Sequence, residues 1–347
     1  MTGKSNASFM SGHIRWLAVG VVLIAGMPAG LVPSFRASTA SASATNPIAL
    51  GVFIDDVRNN MSFTTPTSNP ASLGRYASMV GRIPAVVMWY QPWTAYYPGF
   101  PVGMANAVVS RGSRPMITWM PGSDSVHVGY SCRDVSSGRY DSYIRGWAKA
   151  AKAWGHPFFL RFAYEMNGNW FPWGTSPGNL NHNTPAQYIA EWRHVHDIFA
   201  SVGASNAIWV WAPNKDGGPT TIAFAKDYPG DAYVDWVGID AYNWGSFQPH
   251  SRWRDFHDVM VDPYTQMTAL TPKPMMVAET ATPEIGGNKA LWITDAFLTS
   301  LPVFFPRLRA LIWFDAKKET DWRVNSSSAS LTAYRRIVAS PLDQGRF

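Results

Sequence analysis

The chain has 347 residues, only 15% of them charged, and a formal net charge of +6 with no run of Lys or Arg, which argues against a nucleic-acid partner. A single cysteine, Cys132, excludes an internal disulfide, so the fold must rest on packing. No local cysteine-protease signature surrounds Cys132, and it reads as an unreactive thiol. In chain order, residues 1–44 come first: Lys4, His13 and Arg15, the apolar run "WLAVGVVLIAGMPAGLV" (16–32), then the small-residue stretch "ASTASASA". That order predicts a secretory signal peptide and an extracellular protein. An uncleaved membrane anchor is the rival reading, since the run approaches bilayer-spanning length; Pro28 and the small-residue exit favour cleavage. Removing Lys4, Arg15 and Arg36 leaves 26 basic against 23 acidic residues, a net charge of +3.

Residues 45–347 read as one domain, with no linker tract inside 48–340 and no internal repeat. Eight short apolar runs follow one another: "IALGVFID" (48–55), "AVVMWYQ" (85–91), "RPMITWMP" (114–121), "FFLRFAYE" (158–165), "AIWVWAPN" (207–214), "DWVGIDAY" (235–242), "PMMVAETA" (274–281) and "ALIWFDA" (310–316). Helical patterns separate them, which predicts parallel pairing and, at eight units, a closed (β/α)8 TIM barrel of the α/β class. Thr184, Pro185 and Gln187 form a capping box with proline at the first helical position. Behind it Tyr188, Trp192, Val195, Phe199 and Val202 recur at helical spacing. The stretches 137–155 and 288–305 read likewise, and 220–230 is weakly helical.

Alternation assigns the inward faces. On the fourth strand Phe158, Leu160, Phe162 and Tyr164 share one side, Arg161 and Glu165 the other, so the polar pair faces the barrel axis. On the seventh, Met275, Val277 and Glu279 lie together, and Glu279 sits at the C-terminal end, where barrel enzymes assemble their chemistry. Two isolated carboxylates are costly to desolvate. One reading makes them structural partners of Arg161. The other makes them an acid and a nucleophile for glycosidic-bond cleavage, which with retention needs carboxyls roughly 5 Å apart. Aromatics crowd the strand ends: Trp170, Phe171 and Trp173 after Glu165, Tyr242 and Trp244 after the sixth strand, Trp313 in the eighth. An aromatic plane suits the apolar C–H face of a sugar, although any one of the seventeen tryptophans can equally be packing.

The ordered set "RFAYEMNGNWFPWG", "WVWAPN", "YPGDAYVDWVGIDAYNWG", "MMVAETA" and "IWFDAKKETDWRVNSS" resembles glycoside hydrolase family 26, over about residues 51–340. The resemblance implies a (β/α)8 fold, retaining cleavage of β-linked glycans (chiefly β-1,4-mannan, also mixed-linkage β-glucan or β-1,3-xylan) and no cofactor. It implies Glu165 as acid/base, Glu279 as nucleophile, Tyr242 as the nucleophile's hydrogen-bond partner, Trp313 beneath the cleaved sugar and Trp170 beside the acid/base. Tyr164, Asn167, Trp173, Trp244 and Arg161 complete the expected substrate-binding set. Tyr164 departs from the histidine that family mannanases carry before the acid/base, which bears on substrate identity.

No G-x-S-x-G elbow, Walker loop or H-E-x-x-H is present. His194 and His196, two apart on a helix, face different ways and do not predict a metal site. Asp124 and Asp216, in turns, are weak candidates for sugar or calcium; Glu284 and Glu319 are reserve carboxylates or sugar contacts. The expected partner is a β-mannan or β-glucan, acted on by a monomer. The competing readings are a non-catalytic glycan-binding barrel and an enzyme processing the cell's own exported polysaccharide.

Overall fold

A computed structural model describes residues 47–55, 70–93, 99–122, 130–215, 223–341 and 347. The predicted signal segment 1–44, Asp124 and Asp216 lie outside them. The strands are β1 (Ala49–Ile54), β2 (Val86–Pro92), β3 (Arg114–Met120), β4 (Phe158–Phe162), β5 (Ala207–Trp211), β6 (Trp236–Asp240), β7 (Met275–Thr280) and β8 (Leu308–Asp315). They close in sequence order into one parallel barrel. Pairing of β1 with β8, from Ala49 opposite Ala310 to Ile54 opposite Asp315, shuts the cylinder. Strands covered on both sides read as unbroken apolar runs, which is why all eight were visible as such.

The helices are α1 (Pro70–Val80), α2 (Val102–Val109), α3 (Cys132–Ser136), α4 (Asp141–Trp154), α5 (Pro185–Val202), α6 (Phe224–Asp227), α7 (Phe256–Leu270), α8 (Lys289–Asp295), α9 (Leu301–Phe304) and α10 (Ser328–Val338). The capping box at α5 forms as the sequence predicts. Gln187 N donates to Thr184 Oγ1 at 3.3 Å, and Thr184 N donates back to Gln187 Oε1 at 2.9 Å. Tyr188, Trp192, Val195 and Phe199 are buried on its inner face. The predicted stretch 137–155 forms one unbroken helix, α4, that begins after a turn at Gly138 (φ +91°). The other predicted helix is interrupted. The stretch 288–305 widens into a π turn, Ala296–Ser300, before α9; Pro302 has no N–H to continue the ladder.

Most tryptophans belong to the layer between sheet and helices. Trp119 stacks on Trp147 at 4.5 Å, and Trp93, Phe162, Phe199 and Trp209 extend the cluster. Cys132 is buried there, and burial first, then Glu191, pushes its thiol well above the ordinary value. Burial and a raised pKa are the properties of an inert thiol. Glu191 on α5 is fully buried with neither oxygen in a well-formed hydrogen bond, and burial pushes its pKa up to about 8.

A carboxyl raised in the folded state stabilises the fold below its unfolded pKa and loses that contribution as pH rises through the folded value. For Glu191 the loss runs from roughly 4.3 to about 8; Asp227 and Asp315, each raised to about 6, act in the lower part of that window. Glu191→Gln is therefore expected to raise the melting temperature at pH 8 and flatten its decline above pH 6. Calorimetry across pH checks this, and an unchanged slope refutes it.

Candidate active site

The strand β4 stops at Phe162 because the backbone leaves the extended region. Ala163 (φ +40°) and Glu165 (φ +51°) both take left-handed conformations, which cost a non-glycine residue free energy and persist only when held. The holding bonds are Ala163 N to Trp119 O at 3.1 Å, Glu165 N to Ala212 O at 2.8 Å and Gly168 N to Glu165 O at 3.0 Å. Tyr188 adds its hydroxyl to Ala163 O at 3.1 Å. Simple alternation ends here, with two consequences. Glu165 reaches the barrel mouth through this turn, and Tyr164, which alternation turns outward, lines the same cavity with its ring 4.0 Å from the Arg161 guanidinium carbon.

Each oxygen of Glu165 accepts one hydrogen bond, from Asn214 Nδ2 at 2.6 Å and from Trp170 Nε1 at 2.8 Å. Asn167 does not enter the cavity lining. It is buried and brackets Asn214, giving Nδ2 to Asn214 O at 2.7 Å and taking Asn214 N on its Oδ1 at 2.9 Å. Burial first, then the charge of Glu279, pushes Glu165 above the ordinary carboxylate range; Asn214, Arg161 and Trp170 pull the other way.

Glu279, on β7, receives three donors. Tyr90 Oη (2.6 Å) and Arg161 Nη1 (2.5 Å) bond Oε1, and Tyr242 Oη (2.7 Å) bonds Oε2. Arg161 Nη2 also bonds Asp240, and Nη1 approaches Thr118 Oγ1 at 3.3 Å. A register shift after Ile239 sets Asp240 opposite Glu279, as bulges near active sites do. Arg161 is fully buried and outside the cavity lining, so the sequence expectation of a sugar contact is corrected to support of Glu279. Burial opposes its charge, but Asp240 and Glu279 outweigh burial and raise its pKa. Burial, followed by Glu279, also lifts the Tyr90, Tyr164 and Tyr242 hydroxyls well above their ordinary value, keeping them donors.

Glu165 and Glu279 face one cavity of about 550 Å³. Tyr242, Trp244 and Trp170 line it as the sequence predicts, joined by Tyr90, Phe171 and Phe314. Trp313 does not. It points outward, giving Nε1 to Trp322 O at 3.0 Å and packing on Trp292 and Tyr334 from the helical layer. Trp322, beyond β8, lines the cavity instead, 5.3 Å from Tyr242 and 5.2 Å from Trp244. The alternation of β8 contained this signal, since an inward Phe314 requires an outward Trp313. Trp173 is likewise buried, stacked on Phe171 at 4.6 Å with Nε1 bonded to Tyr164 O at 2.6 Å.

Tyr90, Asn214, Asp240 and Trp322 are the site residues that sequence reasoning missed. Of the reserve carboxylates, Glu319 lines the cavity in an ion pair with Lys318 (3.1 Å), whereas Glu284 ties its loop to the start of α10 through Ser326 and Ser330 (2.7 Å each). His194 pairs with Asp141 at 2.7 Å, and among the described residues no three ligating side chains converge as a metal would require.

The arrangement generates one prediction about Arg161. Replacing it by Met strands two buried carboxylates beside one another, and breaking a buried pair in this way costs about 3–5 kcal/mol. Denaturant titration of Arg161→Met should show that loss at neutral pH and a partial recovery at low pH, where Asp240 takes up a proton. A loss within about 1 kcal/mol of the effect typical of single substitutions contradicts the assignment.

Comparison with known proteins fits this geometry. The sequence model of Glycosyl hydrolase family 26 matches residues 136–294. Endoglucanase H of Acetivibrio thermocellus is 41% identical over 237 residues, 68% of this chain and 25% of that protein. Mannan endo-1,4-beta-mannosidase A and B of Caldalkalibacillus mannanilyticus is 36% identical over 127 residues, 36% of this chain and 22% of its own length. The chain thus spans about a quarter of these relatives. Among solved structures, a Cellulomonas fimi endo-beta-1,4-mannanase double mutant superposes with a TM-score of 0.63 at 18% identity, covering 85% of this chain and 71% of that one, which bears on the fold. On the strength of its motifs, its barrel and this kinship, the chain belongs to glycosyl hydrolase family 26.

Proposed function

We propose that this protein is an exported endo-acting β-glycoside hydrolase that cleaves a β-1,4-linked or mixed-linkage glycan with retention. One observation carries the reading: two glutamates face a single aromatic-lined cavity, one held by two neutral donors and the other by three donors that include a guanidinium. Three donors, one a guanidinium, favour the carboxylate of Glu279. Burial and that charge favour the neutral acid of Glu165. In the first step Glu279 attacks the anomeric carbon as Glu165 gives its proton to the departing glycosidic oxygen. The charge of Glu279 is then consumed in the ester bond, which removes one cause of the raised Glu165 pKa. Glu165 can now take a proton from water attacking the same carbon, and Glu279 leaves as carboxylate. The longer, closer match to a protein named an endoglucanase, together with Tyr164 in place of the mannanase histidine, favours a glucan over a mannan.

Reducing ends released from barley-type β-glucan, mannan and β-xylan test the substrate; no release from any of them overturns the reading in favour of a glycan-binding barrel. Glu279→Ala should lower turnover by about 10⁴-fold or more while Arg161 keeps Asp240 as its partner and the fold persists. A variant retaining a tenth of the activity refutes the nucleophile. Glu165→Ala should spare aryl glycosides whose leaving group needs no proton, and equal losses on both substrate types contradict the acid role.

Activity should fall as pH rises through the pKa of Glu165, so the alkaline limb lies above the ordinary carboxylate range. Asn214→Ala removes a donor that stabilises the ionised form. It is expected to move that limb to higher pH. A limb displaced downward, or unmoved, dissociates Asn214 from the acid.

A further inference from the structure

A second cavity, of about 510 Å³, adjoins the first and shares Tyr242, Trp244 and Gln248 with it. Its chemistry differs. Lys215, His250, Arg252 and Arg254 line it, and no carboxylate does among the described residues. Arg252 and Arg254 are exposed to the opening, and neither guanidinium has a carboxylate partner among those residues.

The loop bearing them is held in place. Asn243 Oδ1 accepts both Gly245 N and Arg254 N at 3.1 Å, drawing the end of the loop back to the start. Gln248 N bonds Ser251 Oγ at 3.0 Å, and Trp292 Nε1 bonds Arg254 O at 3.0 Å. Like charges gathered around one cavity repel each other unless an anion joins them. Guanidinium groups suit a planar carboxylate, which they can meet with paired N–H donors. Because both cavities share Trp244, a glycan lying along that ring would span the two.

We propose that the second cavity is a subsite for a carboxylate carried on the glycan, so that the preferred substrate contains uronate residues. The inference rests on the hydrolase reading for its orientation relative to the cleaved bond, but its ligand chemistry comes from Arg252 and Arg254 alone.

Binding separates the two ideas. The full chain with Glu165→Gln, which leaves substrate intact, is run in affinity electrophoresis through barley β-glucan and through the same glucan with a minority of C6 hydroxymethyls oxidised to carboxylate. At low salt the oxidised polymer should be bound about tenfold more tightly, the order of a charge-assisted hydrogen bond at a hydrated site. The preference should shrink as salt is added. Arg252→Gln with Arg254→Gln should abolish it, whereas Lys149→Gln with Arg336→Gln, which removes the same charge from exposed helix positions, should preserve it. Equal binding of the two polymers overturns the proposal. So does a preference that survives the loop substitutions, or one that both charge-removed pairs lose alike. A retained acidic preference in a chain whose unsubstituted form cuts neither polymer sinks the hydrolase reading and supports the subsite.

Discussion

The site depends on one buried guanidinium shared by two carboxylates. Arg161 rises from β4 and bonds Asp240 of β6 and Glu279 of β7. Removing a charge from water costs several kcal/mol even after relaxation, so such a group is tolerated only where every direction is answered. A lysine has one compact head and cannot hold two acids in a fixed plane, whereas a fork can. The two hydroxyls on Glu279, from β2 and from the segment after β6, complete the shell. Strands β2, β4 and β7 and the segment after β6 are thereby tied to one oxygen pair.

That anchoring gives the two glutamates different characters without different chemistry. Glu279 is surrounded by donors, and its charge is felt by Glu165, whose own donors, an amide and an indole, are neutral. The asymmetry is thus produced by Arg161 being bonded to one glutamate and merely near the other. In the proposed reaction the same asymmetry reverses itself, because esterification of Glu279 removes the charge that burdens Glu165. The single guanidinium then remains opposite Asp240, so the buried layer never holds an unpaired cation.

Much of this was legible in the residues. Strands covered on both faces announce themselves as apolar runs, and the T-P-x-Q start of α5 specifies its own cap. Arg161 and Glu279 stood out because polar groups on such strands are expensive. The failures have a common origin in the strand ends. A period of two predicts sides only while the backbone stays extended, and at Ala163 and Glu165 it does not. Tyr164, which alternation alone turns outward and the family resemblance sets at the substrate, consequently lines the cavity. Trp313 drew attention by residue type, whereas its neighbour Phe314 holds the inward place and Trp322, from an irregular loop, supplies the tryptophan. Asp240 was hidden because its inward turn depends on a register shift that no spacing reveals.

The residues that never touch the cavity explain why Glu165 can occupy a left-handed conformation at all. Two non-glycine residues with positive φ within three positions store strain of order 1–3 kcal/mol each. Tyr188 caps the Ala163 carbonyl from α5, Trp173 caps that of Tyr164, and Asn167 locks the Asn214 segment that in turn grips the acid. The bonds from Tyr188 and Trp173 each take a buried main-chain carbonyl that the broken strand leaves without a ladder partner, and an unanswered group of that kind costs about as much as the strain itself. Relaxing the turn would therefore exchange one penalty for several. The aromatics after Glu165 are divided accordingly: Trp170, exposed at the rim, addresses the carboxylate, while the buried Trp173 is committed to holding the Tyr164 carbonyl beside it.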